Sequence, residues 1–405
     1  MDNFPAARFF DRNTQPTMLT LVLLASISAL AMNIYLPSLP LMAIEFSTTP
    51  AAMGLSVGVY LGTSALIQLF AGPISDRIGR RKIVQVSLII FVVASISCAY
   101  AQSFETFLMY RAIQSVAATC MIVSRAIVRD TTDTASSGSR IAYVTMGMAV
   151  VPMFSPALGG FIDTNFGWEG TFFVLAGLGL IMLMMSYFDQ GETAPVSDKS
   201  ILGQFQNYPI LLTSKRFWGY CLASAFGSGA FFAYLGGAPA VGAEVYALDP
   251  QSVGLFLGAP AFGYFFGNFI AGRYSKSIGI NLMVLYGLAL ALIGMSLSFA
   301  ISALGYGSAL SFFGFMTFVG LGNGMSIPNA TAGMLAIKPE LAGTASGLGS
   351  AMMIGGGAAL SALAGPVLHM GSGDLALIAL MWLSVLIGIL MILLVIKRNQ
   401  TLTAD

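Results

Sequence analysis

The sequence predicts an all-α membrane protein of twelve spanning helices in two pseudo-symmetric six-helix bundles. Three observations carry this. Of the 405 residues, 57% are hydrophobic and only 9% charged, where a soluble domain carries roughly 25% charged. Apolar stretches long enough to cross a bilayer, roughly 20 residues each, recur along the whole chain. The basic residues fall on alternate connections between them. So few charges cannot cover a water-facing surface, which excludes a soluble enzyme, a nucleic-acid binder and a disordered chain. The net charge of +1 gives no long-range pull on an acidic partner.

The predicted spans, in order, are Thr17–Leu39, Pro50–Ala71, Ile83–Tyr100, Phe104–Val128, Ile141–Ile162 and Gly170–Phe188, then Phe217–Gly237, Ser252–Gly272, Asn281–Leu304, Gly307–Ile337, Leu341–Leu368 and Leu375–Ile396. The first is no cleavable signal: it is long, lacks a small-residue cleavage site, and places Asn33 and Tyr35 before Pro37. The longest polar stretch, Asp189–Lys215, divides the chain into an N-terminal bundle (1–188), a linker (189–215) and a C-terminal bundle (216–405). Within the linker, Ile201, Leu202, Phe205 and Tyr208 share helical spacing, which predicts a short amphipathic helix on the membrane face.

Orientation follows from charge. Arg77, Arg80, Arg81 and Lys82 follow the second span, Arg125, Arg129 and Arg140 the fourth, Lys215 and Arg216 the sixth, Arg273 and Lys276 the eighth, Lys338 the tenth. The odd connections hold no Lys or Arg and carry Glu45, Glu105, Asp163, Glu169, Glu244, Asp249 and Asp374. The positive-inside rule then puts the even connections and both termini in the cytoplasm. Arg111 alone among the cations lies outside this partition.

The chain also matches itself at an offset of 200 residues. Gly54-Leu55-x-x-Gly58 falls on Gly254-Leu255-x-x-Gly258, Gln68 on Asn268, Ala71-Gly72 on Ala271-Gly272, and Ile78-Gly79 on Ile278-Gly279, without a gap. Such a repeat is expected of duplicated transporter bundles.

The connection after the second span reads Gly72-Pro-Ile-Ser-Asp76-Arg77-Ile-Gly79-Arg80-Arg81-Lys82. It resembles the signature loop of the major facilitator superfamily. The glycines permit close packing and a tight turn, Asp76 suits a helix N-terminus, and the arginines suit carboxylates or lipid phosphates. The second copy, Gly272 to Gly279, lacks the acid. In the fourth span, Arg111 with Gln114 three residues on resembles the second motif of that family, a cavity-facing arginine. A charge there costs about 2.5–3.5 kcal/mol unless it finds a cavity or a partner. In the fifth, Gly147, Pro152, Pro156, Gly159 and Gly160 resemble the antiporter motif of exporters, with Ser155 in place of a glycine: the prolines bend the helix and the glycines admit another.

Two further segments, Asn33-Ile-Tyr35-Leu36-Pro37 and Ser124-Arg125 through Asp130, resemble the Bcr/CflA drug-resistance exporters among the drug:proton antiporters. The resemblance implies a major facilitator fold, a monomer in the inner membrane, small amphipathic substrates, proton exchange by alternating access, and no cofactor. Substrate-binding candidates are Asn33, Tyr35, Arg111, Gln114, Met146, Phe231, Tyr234 and Asn268; gating candidates are Gly72, Asp76, Arg77, Gly79, Arg80 and Arg81. Asn33 departs from the family, which commonly has an acid there. That leaves three routes open: an acid nearer a membrane face, with Glu244 and Glu45 best placed, a substrate that carries the charge, or an uncoupled facilitator.

Other classes are weaker. The three cysteines, Cys98, Cys120 and Cys221, sit in apolar runs, and the single histidine, His369, ends one, so no metal site is suggested. Gly54-Leu-Ser56-Val-Gly58 has the form of a hydrolase pattern, but its only possible base is His369, and Gly54, Gly58 and Gly62 read better as a packing stripe. A channel or sensor would want a pore motif or a regulatory domain.

Overall fold

A computed structural model describes residues 7–131, 134–193, 208–338, 341–370 and 373–404. These residues form helices and connections, with no strand among them. Eleven helices are long and apolar enough to cross a membrane: α1 (Met18–Glu45), α2 (Pro50–Ile78), α3 (Arg80–Ala99), α4 (Phe104–Val128), α6 (Glu169–Asp189), α7 (Lys215–Val245), α8 (Pro250–Ile278), α9 (Ile280–Ala303), α10 (Ala309–Leu335), α11 (Ala345–Leu368) and α12 (Asp374–Gln400). The remaining predicted span lies on α5, Thr134–Phe166, a helix of 33 residues.

Starts and stops follow local chemistry. Thr17, Thr49, Ser103, Ser214, Asp249 and Ser308 each cap a helix through a side-chain oxygen, satisfying amide groups that have no partner inside the helix. Ser103 and Ser308 form reciprocal capping boxes. The repeat is visible in the backbone. α2 and α8 begin at Pro50 and Pro250 and end at Ile78 and Ile278, followed by Gly79 at φ 106° and Gly279 at φ 90°. Both glycines turn the chain in the left-handed region that other residues avoid.

Some boundaries differ from the sequence expectation. α1 does not stop at Leu39: it breaks into a 3-10 turn at Leu36–Ser38 and resumes to Glu45, because Pro37 and Pro40 withhold amide donors without preventing a new helical start. α7 runs past Gly237 and ends in a π turn, Val241–Val245. Asp189, assigned to the linker, closes α6 and is fully buried. Of the predicted amphipathic helix, 201–207 lie outside the described residues, and Tyr208–Leu212 is helical.

Packing runs α1 on α4 and α5, α3 on α4 and α6, and, in the second half, α7 on α11 and α12, α10 on α8 and α9, and α9 on α12. The halves meet through α2 on α11 and α5 on α8. Facing outward, Val86, Ile89 and Val93 on α3 are 54%, 50% and 59% exposed. Apolar faces of this kind are stable only against lipid.

Candidate functional site: a buried arginine and a glycine seam

Arg111 lies two turns into α4 with its side chain fully buried. Its guanidinium sits over two aromatic faces, 4.2 Å from the ring centre of Tyr35 and 4.5 Å from that of Tyr60. It donates to the Ala31 carbonyl at 3.1 Å and to Gln114 Oε1. Gln114 Nε2 donates to Ser95 Oγ at 2.7 Å, which donates to the Phe91 carbonyl. The two tyrosines are held in turn: Tyr35 Oη bonds Ser56 Oγ at 2.9 Å and Tyr60 Oη bonds Ser28 Oγ at 3.0 Å. One cation thus ties α1, α2, α3 and α4 together. Each desolvated aromatic face is worth about 2 kcal/mol, which meets the cost of placing the charge in the membrane. Arg111 Nε and Nη2 are buried without a hydrogen-bond partner among the described residues.

The structure brings together Tyr35, Arg111 and Gln114 of the predicted binding residues, and adds Tyr60, Ser28 and Ser95, which sequence reasoning passed over, and Ser56, which it weighed only in a hydrolase pattern. Polar side chains inside apolar spans were the available signal, but serine and tyrosine are common there. Asn33, 1% exposed, turns its amide back to the Ala29 carbonyl at 2.7 Å. Tyr234 lies apart, fully buried in the second half against the rings of Phe312 and Phe313. Phe231 and Asn268 are half-buried, and Asn268 Nδ2 donates to the Tyr264 carbonyl at 2.8 Å. The Met146 side chain lies outside the described residues. The hydrolase pattern is not assembled: Ser56 serves Tyr35, and His369 Nε2 pairs with Thr49 Oγ1 at 3.2 Å.

The gating loop has a different arrangement from the expected one. Asp76 occupies the last turn of α2, and its carboxylate forms an ion pair with Arg80 across the Gly79 turn, so it caps no helix. Arg80, 3% exposed, also contacts Ser75 Oγ and reaches Asp130 Oδ2 at 3.0 Å. The amides at the start of α3 are instead capped by Glu192, with Arg80 N at 2.7 Å and Arg81 N at 3.3 Å. The chain leaving α6 passes that helix end, whereas Asp76 is already committed four residues along its own strand of chain. Arg81 donates to the Tyr187 carbonyl at 3.0 Å and covers the Tyr187 ring, while Arg77 is exposed. Among the described residues Gly72 does not serve close packing: a Cβ there would meet none of them within 4 Å.

The antiporter-like residues form contacts between helices. Gly159 abuts the Ile34 carbonyl where α1 breaks, and Gly147 abuts Val22. Gly160 faces the Pro250 carbonyl, 2.5 Å from where a Cβ would stand, and across the same line Gly254 faces the Pro156 carbonyl and Gly258 the Met153 carbonyl. Opposite, Gly54 meets the Gly236 carbonyl, Gly58 meets Ala358 and Ala362, and Gly365 meets the Ala51 carbonyl. The two halves are therefore in backbone contact at the end that carries the acidic connections. At the basic end, Gly72, Gly272 and Gly347 have nothing among the described residues within 4 Å of a Cβ position.

Residues 21–362 match the family model described as Major Facilitator Superfamily. The chain belongs to the major facilitator superfamily. Among curated relatives of this transporter, Multidrug resistance protein D of Escherichia coli (strain K12) is 28% identical over 93% of this chain and 94% of its own length. The uncharacterized MFS-type transporter YdgK of Bacillus subtilis (strain 168) is 31% identical over 63% of this chain and 65% of its own length. Multidrug resistance protein MdtL of Klebsiella pneumoniae (strain 342) is 32% identical over 45% of this chain and 50% of its own length. Among solved structures, a D-xylose-proton symporter superposes with TM-score 0.73 at 15% identity, covering 92% of this chain and 96% of the other. A bacterial homologue of the human lysosomal transporter Spinster, inward-facing and occupied, superposes with TM-score 0.67 at 16% identity, covering 95% and 96%. The likeness to these solved structures establishes the fold.

Proposed function

We propose that this transporter exports small amphipathic or drug-like compounds across the inner membrane by alternating access, in exchange for protons, as a monomer with both termini in the cytoplasm. The observation that carries the reading is the asymmetric seam: carbonyl-to-glycine contact at the acidic end, and no such contact among the described residues beside Gly72, Gly272 and Gly347 at the basic end. With the basic connections assigned to the cytoplasm, this is the state that receives cargo from inside the cell. The relatives named for multidrug resistance support the substrate class.

In this reading the N-terminal half, through α6, and the C-terminal half, from α7, rock as bodies about the α2–α11 and α5–α8 contacts, with the connection between α6 and α7 as tether. Phe231, Asn268 and Met146 contact substrate between the halves, and Tyr234 shapes the wall behind them. Arg111 keeps two nitrogens, Nε and Nη2, without a hydrogen-bond partner among the described residues, at a cost of about 1–3 kcal/mol each, a cost recovered when α1 and α4 shift and a substrate or water oxygen reaches them. Asn33, Tyr35 and Gln114 set that geometry.

A resistance profile of a strain overproducing the protein tests the substrate class: no compound tolerated better than in the control strain refutes export of drugs. Efflux from proteoliposomes with and without an imposed pH gradient tests coupling. An uncharged substrate that moves equally in both, and never against its own gradient, makes the protein a facilitator.

A further inference from the structure

Asn33 cannot titrate, so any proton this transporter binds must find another group. Glu45 and Glu244, the acids best placed by sequence, are exposed. Among the described residues three acids are buried: Asp163, Asp189 and Asp374. Asp189 accepts from Phe10 N at 3.0 Å and from Thr17 N and Oγ1 at 2.9 Å each. Asp374 accepts from Tyr246 Oη at 2.7 Å, from Leu375 N at 2.9 Å and from Ser302 Oγ. Both are satisfied as anions. Asp163 is not: it is 6% exposed, and its Oδ2 is buried with no hydrogen-bond partner.

Its position gives that vacancy meaning. Asp163 follows directly on the apolar stretch 141–162, four residues after Gly159 and three after Gly160. It therefore shares the helix face of both. Gly159 rests on the Ile34 carbonyl of α1 and Gly160 on the Pro250 carbonyl of α8. Asp163 thus tops the line where α1, α5 and α8 meet, which is the closed seam between the halves, with Ser38 of the 3-10 turn beside its carboxyl. The charged groups around this corner are acidic. Glu169 opens α6; Glu45 ends α1 and accepts from Trp168 Nε1 at 2.6 Å; Asp249 caps α8, and its bonds to Ser252 hold it low and ionised. No Lys or Arg lies in the connections at this end. Burial pushes the Asp163 carboxyl up to about 6, against the lowering by Ser38 and with a smaller push from Glu169.

The geometry points to Asp163 as a proton-binding site that latches the gate at the acidic end: the α1–α5–α8 seam closes over the neutral acid and loosens when the carboxyl gives its proton to the water on that side. The inference goes beyond the proton-coupled reading: a proton taken from and returned to the same side is not carried across, so the latch sets how readily this gate opens and needs no net exchange. The closed seam holds this proton more tightly than the open, hydrated one. Closure is therefore fully favoured below the ordinary carboxyl value and is weakened as pH rises through about 6.

The test is the distance across the seam, measured by pulsed electron resonance between nitroxides on Asn165→Cys and Ala247→Cys, both exposed positions, after replacing the buried Cys98, Cys120 and Cys221 by alanine. Protein in lipid nanodiscs, without substrate or gradient, is titrated from about pH 5 to about pH 8, and the closed-to-open ratio should fall about tenfold. Asp163→Asn should stay closed throughout, and Asp163→Glu should restore a titration. A parent seam that ignores pH, or an Asp163→Asn seam that titrates like the parent, overturns the proposal. Infrared titration of the parent's protonated carboxyl band gives a reading that needs no variant, and no band lost near pH about 6 counts against it. An uncoupled transporter with a titrating seam would sink proton exchange and keep the latch; a coupled one with a pH-blind seam would do the reverse.

Discussion

Gly160→Ala adds a single methyl group to the closed seam. That carbon would stand 2.5 Å from the Pro250 carbonyl oxygen, 2.9 Å from Gln251 Cα and 3.1 Å from the Pro250 carbonyl carbon. Ordinary contact begins near about 3.5 Å, and every atom it meets is backbone, so no side chain can swing aside. α8 must withdraw by about 1 Å, or the gate stays open. Overpacking of this size costs about 1–3 kcal/mol, which lowers the closed-to-open ratio about 5- to 150-fold. The helix itself does not suffer, because alanine is a better helix former than glycine by about 1 kcal/mol. The assay is the rate at which a membrane-impermeant maleimide, added from the acidic-connection side, labels a cysteine placed at Ile34, beneath the seam and fully buried in the closed state. Labelling should rise at least about fivefold, with membrane abundance unchanged. Gly272→Ala, which meets nothing within 4 Å, is the control and should label like the parent. Equal labelling of Gly160→Ala and parent, with equal transport, would refute the claim that this carbonyl–glycine contact closes the gate.

Four other outcomes follow from the geometry. Arg111→Ala removes the cation from between Tyr35 and Tyr60 and strands Gln114, so transport should fall at least tenfold, about 1.4 kcal/mol, at equal protein level; Arg111→Lys should recover part of it, since a point charge cannot cover both rings. Asp76→Asn breaks the pair with Arg80 and should lower the transport rate while substrate binding, measured by fluorescence or calorimetry, holds. Glu192→Ala uncaps α3 at Arg80 and Arg81 and should cost about 1 kcal/mol, read as a lower melting temperature in detergent. Asn33→Asp sets a carboxyl against the Ala29 carbonyl now served by an amide, a contact kept only by the protonated acid, so efflux should acquire a pH dependence that the parent lacks at that residue.

Composition and pattern were enough for the membrane, for eleven helices long and apolar enough to cross it and for the repeat, because bilayer thickness fixes span length. The duplication was legible for the same kind of reason. Gly79 and Gly279 must be glycine at a positive φ, and a backbone requirement of that type leaves the same letter in both copies. Gly159 and Gly160 announced a closely packed helix, though not its neighbours.

Tertiary structure alone decided the partners. Arg111 could as well have faced a cavity or reached for the membrane surface; only the placement of Tyr35 and Tyr60 from two other helices encloses it. Glu192 takes the place expected of Asp76, since which acid meets the amides of α3 depends on where the chain leaves α6, more than a hundred residues later in the sequence. Asp163 read as one of several acids in outer connections. It is buried at a corner where α1, with Ser38 beside the carboxyl, and α8 meet α5, helices far apart along the chain. Local pattern fixes what a residue costs to bury; only the packed fold decides whether that cost is met, and by which group.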